Sequence, residues 1–287
     1  MRLVFHIGIH KTGSTLIQKN LSKNLGVLRE KGIFYVNEEI PDLIIKQREY
    51  VRKLQVPSRN DPSKDSLMQA NARLLEAAQR ANANIVLISE ENRIGFPLYL
   101  EVTKVGAPAR FYPRADECLN GVLNGLQDLE TKLILYRRRF ERLIPSLYSE
   151  ALRNLATTET IDGFCRQIDF ASLDYGKLLG RVTKGAPDAE LIVKPFEWIK
   201  KGAEAFLEDF VQTAGLGTDG FSFSTKFVRE GVDQRKGDAL RELAMLRNAE
   251  GMSKAIAIRK KEILAHPNDE DSSIMLPDWV AEKLPKK

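Results

Sequence analysis

The sequence predicts an α/β fold: a parallel β-sheet flanked by helices in a three-layer sandwich, continuing into a helical C-terminal region. Three observations carry this. Short apolar runs recur at residues 3–9, 33–36, 84–89, 132–136 and 190–196, the signature of strands buried on both faces. Between them, apolar residues fall at three- and four-residue spacing, the helical period. Strand and helical patterns therefore alternate, which favours parallel βαβ units. The first run also passes through a glycine-bearing turn straight into a helix.

In chain order, the run 3–9 is the first strand and residues 15–31 the first helix, stopped by Gly32 before the short strand 33–36. A helical pattern covers 41–55, and the proline-punctuated stretch 56–65 reads as a connecting loop. Leucine and alanine spacing predicts a helix over 67–83, followed by a central strand 84–89. Residues 93–114 lack a period and read as a loop over the acceptor side, with Phe96, Tyr99, Phe111 and Tyr112 as aromatic contacts or core plugs. A helix over 115–129 leads to the strand 132–136. Pro145 falls inside the helical pattern that follows, so a kink or restart is expected near Ser146. Residues 157–160 offer several helix caps without deciding among them. The remainder reads as a helix 173–182, a strand 190–196 closed by Pro195, a helix 196–214, a loop 217–232, a helix 233–265, a tail from 267 carrying Asp269–Asp271, and a short helix over 275–284 that Trp279 docks.

The chain has 287 residues, 43% of them hydrophobic, enough for one large core. A single domain is expected, with 1–216 as the α/β core and 217–287 as the helical C-terminal region. A net charge of +5 without a long basic block suits a protein that handles an anionic nucleotide but does not point to nucleic acid. Cys118 and Cys165 are the two cysteines, too few for a disulfide framework or a paired metal spacing. No metal is expected. No run reaches the roughly 20 apolar residues of a membrane span, and the first strand begins almost at Met1, so a cytoplasmic protein without a membrane partner is expected.

The turn is the chemical centre of the sequence. Residues 8–15 match the spacing G-x-x-x-x-G-K-[ST] at Gly8, Gly13 and Thr15, but Ser14 takes the lysine position and Lys11 lies two residues before the second glycine. A helix N-terminus offers unpaired N–H donors at the positive end of a dipole, and glycine lets the backbone approach an anion closely. The cradle is kept and its cation moved into the loop, where Lys11 would neutralise an oxygen on a 5'-phosphate group.

In its run Lys11-Thr12-Gly13-Ser14-Thr15 the chain resembles the sulfotransferases that use 3'-phosphoadenosine 5'-phosphosulfate (PAPS), a P-loop-like fold, and the longer wording from His6 to Thr15 is similar to the bacterial branch of that family. The resemblance implies PAPS as co-substrate, held at its phosphosulfate end by His10, Lys11, Thr12, Gly13, Ser14 and Thr15. A carboxylate just past a central strand can take a proton from an acceptor hydroxyl or amine. Glu91 is the preferred base, Glu90 the reserve, and His10 the rival, because other members of the family use a histidine there. The family grips the nucleotide 3'-phosphate with an arginine at a strand end and a serine eight positions later. Arg138 and Ser146 stand at that spacing, a little over two helical turns, so a guanidinium and a hydroxyl can converge on one dianion. Arg235-Lys236-Gly237 also resembles a 3'-phosphate motif of cytosolic members, but its place ahead of a leucine-faced helix reads as coincidence.

The implied reaction is an in-line sulfuryl transfer to a small-molecule or carbohydrate acceptor. Two alternatives stay in view: a P-loop kinase or NTPase, which would want lysine where Ser14 stands, and a nucleotide binder without a base. The acceptor's identity and the oligomeric state have no signal in the sequence.

Overall fold

The structure, a computed structural model, describes residues 1–55, 64–98, 108–226, 231–268 and 273–285. Most of the expected loop 56–65, the aromatic Tyr99 and the acidic stretch Asp269–Asp271 lie outside the described residues. The chain groups into two compact units. The first comprises Met1–Phe96, Tyr112–Arg138 and Tyr175–Val228; the second comprises Pro97–Phe111, Arg139–Asp174 and Arg229–Lys287. The helical unit thus gathers two earlier stretches with the C-terminal region from Arg229, whereas the first residues of the C-terminal region expected from the sequence, up to Val228, fall in the first unit.

In the first unit, β1 (Arg2–His6), β2 (Ile33–Tyr35), β3 (Ile85–Ser89), β4 (Glu130–Arg137) and β5 (Glu190–Pro195) form one sheet of order β2-β3-β1-β4-β5. Every pairing is parallel. From β1 the chain runs to the edge strand β2, returns through β3 and then crosses β1 to β4 and β5, so the connections leave in opposite directions from the neighbours β1 and β3, the kind of switch point where ligands bind in open α/β sheets. Leu3, Val4 and Phe5 are fully buried, and alternate side chains of a strand point to opposite faces, so the sheet is covered on both. One cover is α1 (Ser14–Lys23), α2 (Leu25–Glu30) and a later helix, Ala203–Thr213, whose Phe206, Phe210 and Val211 join Val4, Leu16, Ile17 and Tyr136 in one core cluster. The helices α3 (Val36–Glu39), α4 (Pro41–Gln55), α5 (Lys64–Arg80) and α6 (Ala115–Val122) complete the first part of this unit.

Several boundaries differ from those the sequence suggests, each for a local reason. The strand β1 ends at His6; Ile7 and Ile9 are still fully buried but belong to the turn. The first helix breaks at Asn24, whose side chain leaves the helix to pair with the backbone of Ser222, donating at 2.9 Å and accepting at 2.8 Å. Asn20, one turn earlier, does the same with Ser224. Two buried asparagines therefore mimic peptide groups and tie down part of the expected 217–232 loop. The expected helix 196–214 is a 3-10 segment, Phe196–Lys201, and then Ala203–Thr213, split at Gly202 with φ +115°.

In the second unit the helix α7 (Phe140–Arg153) runs through Pro145 without a break, and α8 (Ile161–Arg166) is capped by Thr160, whose hydroxyl accepts from the Gly163 N–H. Continuing in chain order, α9 (Tyr175–Gly185) and α10 (Ala203–Thr213) belong to the first unit, and α11 (Gln234–Glu250), α12 (Lys254–Ala265) and α13 (Asp278–Lys283) to the second. The expected helix 233–265 is two helices because Gly251 turns left-handed at φ +81°. Trp279 does dock α13: its indole N–H donates to Asp162 at 2.7 Å and its ring meets Phe170 edge-on.

Candidate active site

The turn after β1 is held in a conformation that only part of its sequence favours. Gly13, with φ +81°, is the residue before α1, and Lys11 adopts φ +68°, a left-handed geometry that a residue with a Cβ takes up at a cost. No side chain caps α1. Ser14 is buried, and its hydroxyl has no hydrogen-bond partner among the described residues. A donor at the mouth of a helix, buried and unsatisfied, is chemically suited to an anion oxygen. Thr12 is committed inward, its hydroxyl donating to the carbonyl of Ile9. Gly13 is also needed for space, since a Cβ there would lie 3.0 Å from the Phe196 ring.

The arginine read separately in the sequence reaches this turn. Arg138, just past β4, donates from its guanidinium to the carbonyl of Lys11 at 2.9 Å and lies 5.3 Å over the Phe196 ring. Its backbone is clamped by Tyr175, whose hydroxyl accepts from the Arg138 N–H and donates to the Arg138 carbonyl. Arg138 is half-buried, whereas Arg137 and Arg139 are exposed. Ser146 is on α7 in the second unit. In that unit Lys236 is buried, with its amine on the Asn268 side chain at 2.6 Å and its N–H on the Asp233 cap.

The carboxylates after β3 have different surroundings. Glu90 is 1% exposed and accepts from Arg48 and, at 2.7 Å, from the Asn92 amide. Burial by itself would raise its pKa; Arg93 first, then Arg48 and Asn92, outweigh that and hold it below the ordinary carboxylate range. Arg93 is fully buried, and burial lowers its own pKa to about 9 against the opposing pull of Glu90. Glu91 opens the 3-10 segment Glu91–Ile94, is half-buried, and makes no hydrogen bond or ion pair among the described residues. His10 has both ring nitrogens engaged, Nδ1 with the Tyr112 hydroxyl at 2.8 Å and Nε2 with Asn92 Oδ1 at 3.0 Å, and its backbone N–H donates to the same hydroxyl.

Among solved structures, a sulfotransferase from Alicyclobacillus acidocaldarius is similar, with a TM-score of 0.45 and 14% sequence identity, over 93% of this chain and 97% of that one. No family model matches the chain. No curated protein matches it.

Four participants in this region have no motif that could announce them. Tyr112 and Asn92 hold His10, Arg48 holds Glu90, and Phe196 lies under Arg138. Phe196 had a positional signal, because it follows the proline that closes β5 at the carboxyl edge of the sheet, and Tyr112 was expected only as an aromatic contact or core plug. Arg48 is a polar residue on an amphipathic helix, and Tyr112 lies in a stretch without a period.

Proposed function

We propose that the chain is a PAPS-dependent sulfotransferase acting on a hydroxyl or amine acceptor. The observation that carries the reading is the convergence of Arg138 on the carbonyl of the left-handed Lys11, beside a helix mouth where the buried Ser14 hydroxyl has no partner. A phosphate-binding turn and an arginine from the next strand at one edge fit a nucleotide with anionic groups at both ends. Serine in place of the Walker lysine disfavours a kinase, whose terminal phosphates need that cation.

In the proposed reaction an acceptor oxygen attacks the sulfur atom, its proton passes to Glu91, and the bond from sulfur to the bridging oxygen of the 5'-phosphate breaks. The products are the sulfated acceptor and adenosine 3',5'-bisphosphate. Lys11 and the N–H groups opening α1 offset the charge that builds on the leaving oxygen. Glu91 suits the base role better than Glu90, because Glu90 is already engaged by two partners and Glu91 by none among the described residues. For Ser146 the proposal rests on its eight-residue spacing from Arg138. Small molecules or carbohydrates are the proposed acceptor class, and the cytoplasm the proposed location.

The test measures adenosine 3',5'-bisphosphate released from PAPS across a panel of phenol, sugar and tyrosine-peptide acceptors. With an accepted substrate, Glu91→Gln is expected to lower turnover by about 10²-fold or more, the scale of general-base catalysis, with bisphosphate affinity kept within about twofold. Unchanged turnover in that variant removes Glu91 from the mechanism, and no release with any acceptor argues for a binder.

A further inference from the structure

We infer that Tyr112 is a positioning residue: through His10 it holds the phosphate turn in its strained, anion-ready shape. The inference deepens the proposed function and rests on it only where nucleotide affinity is the readout.

The hydrogen-bond directions follow from one charged end. Glu90 is ionised and can only accept, so the Asn92 atom at 2.7 Å from it is the amide NH2 group, and Asn92 Oδ1 therefore faces His10. An amide oxygen cannot donate, so the proton between them is on His10 Nε2. In the neutral ring Nδ1 is then bare, and the Tyr112 hydroxyl donates to it while accepting from the His10 backbone N–H at 3.1 Å. One hydroxyl thus fixes both the main chain and the ring of the residue preceding Lys11. The chain Tyr112, His10, Asn92, Glu90, Arg48 spans from the turn through buried and half-buried groups to an exposed arginine on α4.

Its purpose is legible in the backbone. Lys11 and Tyr112 are both in the left-handed region, at φ +68° and +45°, where residues with bulky side chains persist only if their surroundings over-determine them. Next to Lys11, His10 is gripped at three polar atoms, two of them by the Tyr112 hydroxyl and the third by Asn92. The clamp gives His10 a role in the turn with its polar atoms committed to Tyr112 and Asn92: it transmits position.

The experiment is a double-mutant cycle of Tyr112→Phe and Lys11→Gly. Tyr112→Phe deletes the hydroxyl and keeps the ring, which is 1% exposed. Glycine takes a left-handed φ without help. Urea unfolding without ligand reads the strain. If Tyr112 holds Lys11 in its strained geometry, Lys11→Gly shifts the folding equilibrium at least about fivefold more favourably in the wild-type background than in the Tyr112→Phe background, where the turn has already relaxed. Additive effects, within about twofold, overturn the inference. Calorimetry with adenosine 3',5'-bisphosphate reads the function: Tyr112→Phe should weaken binding about tenfold when Lys11 is present and less than about threefold in the Lys11→Gly background. An equal penalty in both backgrounds marks a merely structural role and also overturns it. Failure of the wild type to bind the bisphosphate ends the donor assignment, and the unfolding cycle then decides the positioning claim alone.

Discussion

Replacing Gly13 by alanine should do the opposite of replacing Gly26 by alanine. At Gly13 the backbone is left-handed at φ +81°, which costs an L-residue about 1–2 kcal/mol. The new Cβ would also stand 3.0 Å from Phe196 and 3.3 Å from Phe206. Phe206 is fully buried, and mild overpacking of this kind costs about 1–2 kcal/mol. The sum is a loss of about 2–4 kcal/mol. Gly26, inside α2, has nothing within 4 Å of an added Cβ, so alanine gains about 0.5–1 kcal/mol of helix propensity. Urea unfolding of both variants separates them: with a slope of about 3 kcal/mol/M for a chain of this size, the Gly13→Ala midpoint should fall by about 1 M while that of Gly26→Ala rises slightly. Because Arg138 lies over the Phe196 ring that the new methyl displaces, bisphosphate affinity should fall with the first variant only. Midpoints moving in the same direction, or a Gly13→Ala loss below about 0.5 kcal/mol, would refute the assignment of this turn as left-handed and closely packed.

Two further outcomes follow from groups away from the turn's backbone. Burial lowers the pKa of His6 to about 4, with the charge of Glu90 opposing; in the unfolded chain the imidazole titrates at its ordinary value of about 6.5, so that state binds more protons between these limits. Stability should therefore be intact above pH 6.5 and decline by about 3 kcal/mol as pH falls to about 4, and His6→Gln should flatten that leg of a pH series of unfolding midpoints; an unchanged slope would contradict it. In the second unit Trp279 carries Asp162, Phe170 and the cation–π contacts of Arg166 and Lys283, so Trp279→Ala should release α13 and bring rapid proteolysis within residues 275–285, whereas unaltered cleavage would show that the indole does not hold the helix.

What the sequence made legible is what local periodicity encodes. Strands announce themselves by continuous apolar runs, and all five appear with the parallel pairing that alternating helices require, although β5, at the sheet edge, is only half-buried. The breaks at Gly202 and Gly251 were also written in the sequence, since glycine is the usual stop, but helical spacing on both sides masked them. Asn24 could not be read in this way, because its reason for ending α1 is the backbone of Ser222, almost 200 residues away. The site divides along the same line. Lys11, Gly13, Ser14 and Arg138 belong to motifs set by spacing, and the chain brings Arg138 to Lys11. The surroundings that distinguish Glu90 from Glu91, and those that engage His10, come from Arg48, Asn92 and Tyr112, residues whose partners only the tertiary structure supplies.

The central claim is a nucleotide anion site with two ends, and isothermal calorimetry with adenosine 3',5'-bisphosphate, 5'-AMP and ATP on the same protein tests it most directly. The account predicts that the bisphosphate binds at least about tenfold more tightly than 5'-AMP or ATP, and that Arg138→Met removes most of that preference. Equal affinity for all three, or a preference that survives Arg138→Met, would contradict it.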